Sequence, residues 1–154
     1  MLITRRLLAA LAREAAQVPR RRKNHNFHGS GAARANRLLN AMEPDSYVRP
    51  RRHMDDEKSE TIIALRGSFG LVLFNTLGAV ASRDVIACDG AALGFDIPYG
   101  TFHTLVALES GSLFFEAKAG PYKPLGATEI AAWAPAEGTP DAQAYLREMH
   151  TLFA

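Results

Sequence analysis

The chain reads as mainly β: a small antiparallel sandwich or barrel, with one helix before it and a short one after it. Three observations predict this. Between residues 60 and 119, "ETIIALRG", "SFGLVLFNT", "GAVASRDVIA", "LGFDIPYG", "FHTLVALES" and "GSLFFEAKAG" are short runs rich in Ile, Val, Leu and Phe, most of them separated by Gly, Asn, Asp or Ser. No helical periodicity interrupts the runs, which argues against a βαβ architecture. With 154 residues, 47% hydrophobic and 22% charged, the chain suits one globular domain with a substantial core.

The elements follow in order. Residues 4–17 place Leu7, Leu8, Leu11 and Ala15 at helical spacing, with Thr4 as N-cap and Pro19 ending the helix. "RRRKNHNFHGSGAAR" is polar and contains Gly and Ser, so it reads as a loop. "ANRLLNAM" reads as a short strand, and "EPDSYV" as a turn entering another. Gly67, Gly78, Gly90, Gly100 and Gly111 fall at turn-like intervals in the β region and are expected to supply positive φ. After "GPYKP" the chain turns loop-like until "TPDAQAYLREMH", a closing helix with Thr139 as N-cap and Pro140 at its first position. The expected organisation is an N-terminal helix and basic loop packing on the barrel (1–34), the β-barrel (35–124) and a C-terminal loop and helix (125–154), one domain overall.

Composition narrows the function classes. No apolar run approaches the ~20 residues that span a bilayer. The amphipathic start lacks the apolar core and cleavage site of a secretory signal. A single cysteine, Cys88, excludes an intrachain disulfide and a Cys-rich zinc site, and a cytoplasmic location is expected. The net charge is only +2, but residues 1–53 hold twelve Lys/Arg against three Asp/Glu. The basic half has one interleaved aromatic, Phe27, and no nucleic-acid motif. Attraction between the halves within one fold is the favoured reading, and an anionic small molecule is the partner the arginines suit best.

Two segments carry the chemistry. In "RPRRHMDDEKSETIIALRG", His53 precedes Glu60, and Gly67 follows Glu60 after six residues. In "PYGTFH", Pro98, Gly100 and His103 recur at fixed spacing. Side chains alternate along a strand, so Glu60, Ile62 and Ala64 share one face. A carboxylate facing an apolar interior is costly unless it is paired or metal-bound. Glu116 and Lys118 lie two apart, hence on one face; an exposed ion pair is the favoured reading, and reaching the pocket as acid and base is the alternative. Trp133 reads as packing.

These segments resemble the two motifs of the cupin superfamily, whose fold is a double-stranded β-helix, or jelly-roll barrel. Over nearly the whole chain, "RRRKNHNFH", "MEPDSYVRP", "KSETIIALRG", "IPYGTFHTLVALESG", "FFEAKAGPYKP" and "WAPAEG" resemble the WbuC-type cupin-fold metalloproteins, a family associated with bacterial surface-polysaccharide (O-antigen) gene clusters. The resemblance implies a jelly-roll core and a bound divalent transition metal, Zn, Fe, Mn or Ni. His53, Glu60 and His103 would be its ligands, a two-histidine, one-carboxylate set with open positions. It also brings "NHNFH" towards the barrel mouth, with Asn26 or His28 lining the pocket, and it implies a homodimer paired through its sheets.

One departure matters. The family's first motif reads Pro-His-Arg-His, a short loop, then Lys-Trp-Glu. Here "PRRH" puts Arg51 at the first histidine, and Ser59 stands at the tryptophan. A second register makes His53 the first ligand and puts Asp55 in the second histidine's place, so Asp55 stays a candidate ligand. Pro50, Lys58 and Glu60 favour the first register. Arg49, Arg51 and Arg52 near the mouth suit a carboxylate or phosphate. The leading expectation is a metal-binding cupin acting on an anionic sugar or nucleotide-sugar metabolite, the metal acting as Lewis acid in isomerase- or epimerase-like chemistry. A non-catalytic sugar-binding cupin with weak or lost metal, and an Fe(II)-dependent oxygenase, stand beside it. The sequence does not decide whether the chain is an enzyme.

Overall fold

A computed structural model describes residues 1–154. It holds helix α1 (Arg5–Ala15), strands β1 (Arg22–Asn26), β2 (Ala35–Met42), β3 (Glu60–Arg66), β4 (Ser68–Phe74), β5 (Val80–Ala87), β6 (Gly94–Ile97), β7 (Phe102–Ala107) and β8 (Ser112–Ala119), and helix α2 (Pro140–Thr151). The strands form two antiparallel sheets, one of five strands in the order β1-β2-β8-β3-β6 and one of three in the order β5-β4-β7. They face each other as a jelly-roll sandwich.

Strand alternation sorts the side chains into layers. Ile62 and Ala64 of β3, Phe69 and Leu71 of β4, Leu105 and Ala107 of β7 and Phe114 of β8 meet between the sheets and form the central core. The opposite faces need covering, and the two helices cover them. Leu8, Leu11 and Ala15 of α1 pack on Leu39, Ala41 and Leu113 outside the larger sheet. Ala142, Leu146 and Met149 of α2 pack with Val72, Phe74, Phe102 and Val106 outside the smaller one. Trp133 joins this second cluster, its ring 4.9 Å from that of Phe74. Both helices start as expected. Thr4 Oγ1 accepts from the Leu7 amide at 3.2 Å, and Thr139 Oγ1 from the Ala142 amide at 3.3 Å. Neither helix is long and apolar enough to cross a membrane.

Three local expectations are corrected. The polar stretch expected as a loop contains β1, whose residues 22–26 pair in register with 42–38 of β2. The turn at "EPDSYV" forms, with the Ser46 amide donating to the Glu43 carbonyl at 2.9 Å, but no strand follows it. The chain there makes isolated bridges at Arg51, to His103 and to Ile130. Gly67, Gly78, Gly100 and Gly111 have positive φ, whereas Gly90 turns the chain without it.

Candidate functional site

The interior face of the sandwich places the site. Antiparallel partners project to the same side of a sheet. Arg51 bridges His103, with the Arg51 amide donating to the His103 carbonyl at 3.1 Å and the His103 amide to the Arg51 carbonyl at 2.9 Å. Arg51, and His53 two residues on, therefore share the face of His103. The Gly100 amide donates to the His53 carbonyl at 2.6 Å, which ties the two sequence motifs together. Across the barrel, Glu60 is the cross-strand partner of Lys118 and Ile62 that of Glu116. Glu60, Glu116 and Lys118 thus emerge side by side.

These groups converge on one carboxylate. Glu60 is 2% exposed. Its Oε1 lies 2.9 Å from His53 Nε2 and 2.7 Å from Lys118 Nζ, and its Oε2 lies 2.9 Å from His103 Nε2. Lys118 Nζ is also 2.5 Å from Glu116 Oε1, while Asn40 Nδ2 donates to Glu116 Oε2 at 2.9 Å. Burial alone would push the Glu60 carboxyl up. Hydrogen bonds from His103 and His53 and the charge of Lys118 outweigh it and hold the group well below the ordinary carboxylate range. Burial likewise pulls the Lys118 ammonium down, but Glu116 and Glu60 reverse the shift and raise it. Carboxylate and ammonium are both charged at neutral pH.

His103 carries further information. Its Nδ1 lies 2.9 Å from the Thr101 carbonyl, which can only accept, so Nδ1 bears a hydrogen. Its Nε2 faces Glu60 Oε2, another acceptor.

Above this floor opens a cavity of about 610 Å³. One wall is the inward face of β1 and β2, where Arg22, Asn24, Asn26, Asn36 and Asn40 project. Arg51, Lys58, Lys118 and Lys123 add cationic groups. Arg20 and Arg22 share one carboxylate, Glu137, at 2.9 and 2.8 Å. Arg51 and Lys58 make no ion pair (Lys58 Nζ donates to the Pro121 carbonyl at 2.9 Å, and the residue is 7% exposed). Asn36 is 4% exposed, and its Oδ1 is buried with no hydrogen-bond partner.

Asn26, His28, Arg51 and His53 line this cavity, while Glu60 and His103 line a small adjoining pocket of about 30 Å³ that Arg51 and Glu116 also line. The structure does not bring Asp55 there. That carboxylate accepts from the Glu57 amide at 3.2 Å and serves the local turn. Nor does it bring Arg49, whose Nε donates to the Ala131 carbonyl at 3.1 Å, or Arg52, which lies over the Phe102 ring at 4.3 Å. Arg51, which one register sets at the family's first histidine, stands opposite His103. Glu116 and Lys118, expected to be an exposed pair, are corrected: both are inside, with Glu116 4% exposed. Their position in an otherwise apolar strand, in phase with Phe114, is the signal that could have placed them.

A family model described as a domain of unknown function, DUF6016, matches residues 3–86, more than half of the chain. The chain belongs to this family. No curated protein matches this DUF6016 member by sequence. Solved structures similar to it include KdgF from Halomonas sp., with a TM-score of 0.53, 16% identity, and coverage of 70% of this chain and 85% of that one. Oxalate oxidase in complex with the substrate analogue glycolate gives 0.54 and 12% identity, covering 70% of this chain and 55% of that one. A conserved protein of unknown function, SPY1581 from Streptococcus pyogenes, gives 0.51 and 10%, covering 71% and 86%. At these identities the likeness establishes the fold, and the fold is the cupin double-stranded β-helix.

The cupin resemblance implies a metal, and the floor of this DUF6016 site tests that implication. The expected donors are adjacent, but Lys118 Nζ already lies on Glu60 Oε1, the atom that His53 also faces. No group of three or more His, Cys, Asp and Glu side chains is arranged to hold a metal ion. A divalent ion at Glu60 would have to displace the Lys118 ammonium from a pocket that Arg51 also lines. The residues as placed do not fit it.

Proposed function

We propose that this DUF6016 protein binds a small, hydroxylated anion in the cavity above Glu60. One observation carries the reading: two cations, Arg51 and Lys58, line the cavity without a carboxylate partner, and Lys58 is buried. A charge taken out of water is costly unless it is matched, and an anionic ligand would match these. The polar wall adds the second half of the description. Asparagine amides both donate and accept, as ligand hydroxyls require. The WbuC-type resemblance and its link to surface-polysaccharide synthesis are compatible with a sugar acid or sugar phosphate. Glycolate, the ligand named for oxalate oxidase, is also a hydroxylated anion, but the ligand class here rests on the cavity's own residues.

Lewis-acid isomerisation and Fe(II) oxygenation both require a divalent ion at the carboxylate that Lys118 holds. Reversible ligand binding requires none, and the geometry supports it best. The test is calorimetric titration of the purified protein with gluconate, glucuronate and glucose 1-phosphate, against glucose as neutral control. Binding of at least one anion, weakened by added salt, is expected. Arg51→Ala removes a charge-assisted hydrogen bond of about 1.5–3 kcal/mol and should weaken binding roughly tenfold or more. Equal affinity for neutral and anionic sugars would defeat the reading.

A further inference from the structure

We infer that the Lys118 ammonium is the resident cation of this barrel: it takes, on Glu60, the place of the divalent metal, and the site works without one. The sheet register enforces the contact. Lys118 is the direct cross-strand partner of Glu60 on the inward face of β8, so its ammonium reaches the carboxylate without leaving the strand's own row. It lies between two buried carboxylates, 2.7 Å from Glu60 and 2.5 Å from Glu116. Its side chain is 16% exposed, and its stem lies along the cavity wall.

The charge count closes without a metal. The floor contains two carboxylates, Glu60 and Glu116. Lys118 supplies one positive charge. Arg51, in register with His103, supplies the other, at the position of the missing histidine. A divalent ion here would add two positive charges to a group of side chains already compensated, in a low-dielectric interior where like charges repel strongly. Arg51 and Lys118 therefore act in the same direction. One removes a ligand, and the other fills the place that ligand would help create. A ligand anion then meets fixed nitrogen donors, Lys118 and Arg51, instead of open coordination positions.

This concerns the floor alone and is separable from the proposed ligand: anion binding that depends on a metal would keep that proposal and overturn this one. The test is elemental analysis of the protein purified without chelator, with calorimetric titration of Zn(II), Mn(II), Ni(II) and, without oxygen, Fe(II). Wild type should hold well under one-tenth of an equivalent and show no melting shift with EDTA. Arg51→His with Lys118→Met, which supplies the third imidazole and clears Glu60, should acquire near-stoichiometric metal and a melting rise on adding it. Should Lys118→Met not fold, Arg51→His with Lys118→Gln makes the same comparison in a polar background. Stoichiometric, chelator-removable metal in wild type overturns the inference. So does a folded double variant that gains no metal affinity.

Discussion

Replacing Glu60 by glutamine probes the centre of the site with almost no change in volume. The variant keeps the side chain's shape and one carbonyl oxygen but removes the charge that Lys118, His53 and His103 all face. Lys118 then has only Glu116 as counter-ion, and an amide nitrogen is set against donors. Removing one partner of a buried, hydrogen-bonded charge pair costs about 3–5 kcal/mol, because the remaining charge stays out of water. Glu60 is 2% exposed and its contacts lie at 2.7–2.9 Å, so the full range applies and no surface discount is due. For a chain of this length, 1 kcal/mol moves the melting temperature by roughly 2–4 °C. Glu60→Gln should therefore melt about 10 °C lower at neutral pH by circular dichroism. Lys118→Met alone should lose a comparable amount, and the double variant should lose clearly less than the two together, the signature of a direct interaction. A Glu60→Gln loss below about 1 kcal/mol would mean that the carboxylate is solvated or differently paired, and would refute the charge assignment.

Other expectations are more local. A Cβ on Gly70 would lie 2.3 Å from Phe153 Cε2, so Gly70→Ala should cost about 1–3 kcal/mol in chemical denaturation, and Phe153→Ala in the same chain should recover part of it. Thr139→Ala removes the acceptor for the Ala142 amide and should destabilise by about 1 kcal/mol, seen as a lower denaturation midpoint with unchanged slope. Burial raises the Glu137 carboxyl, but hydrogen bonds from Arg20 and Arg22 outweigh this and bring it down to about 2. Its folded value lies below its unfolded one, so its stabilisation is present above the ordinary carboxylate range and fades as pH falls through that range towards 2. The pair is partly exposed, so the gain is at most about 1 kcal/mol, and Glu137→Gln should flatten that part of a stability–pH curve by lowering the neutral plateau by no more than that amount.

What could be read in the residues, and what could not, follows from where polarity points. The strands from 60 to 119 were legible because one face of each meets an apolar core, and alternation records that burial directly. The helices were legible through Thr4, Thr139 and Pro140, whose chemistry acts within a single turn. Strand β1 was not, because neither of its faces is apolar. Arg22, Asn24 and Asn26 line a wet cavity, while Lys23 and His25 face outwards, so a buried functional wall has the composition of a loop. Lys118 was hidden for a different reason. Two charges spaced two apart on a strand are as compatible with a solvated face as with an interior one, and only the register that sets Lys118 opposite Glu60 distinguishes them. The two motifs hold His53, Glu60 and His103, which meet in the fold, but a motif reports which donors are present, not which cation they meet. That cation comes from Lys118, 58 positions after Glu60 in sequence yet its direct partner in the sheet, and a metal-independent floor depends on that adjacency.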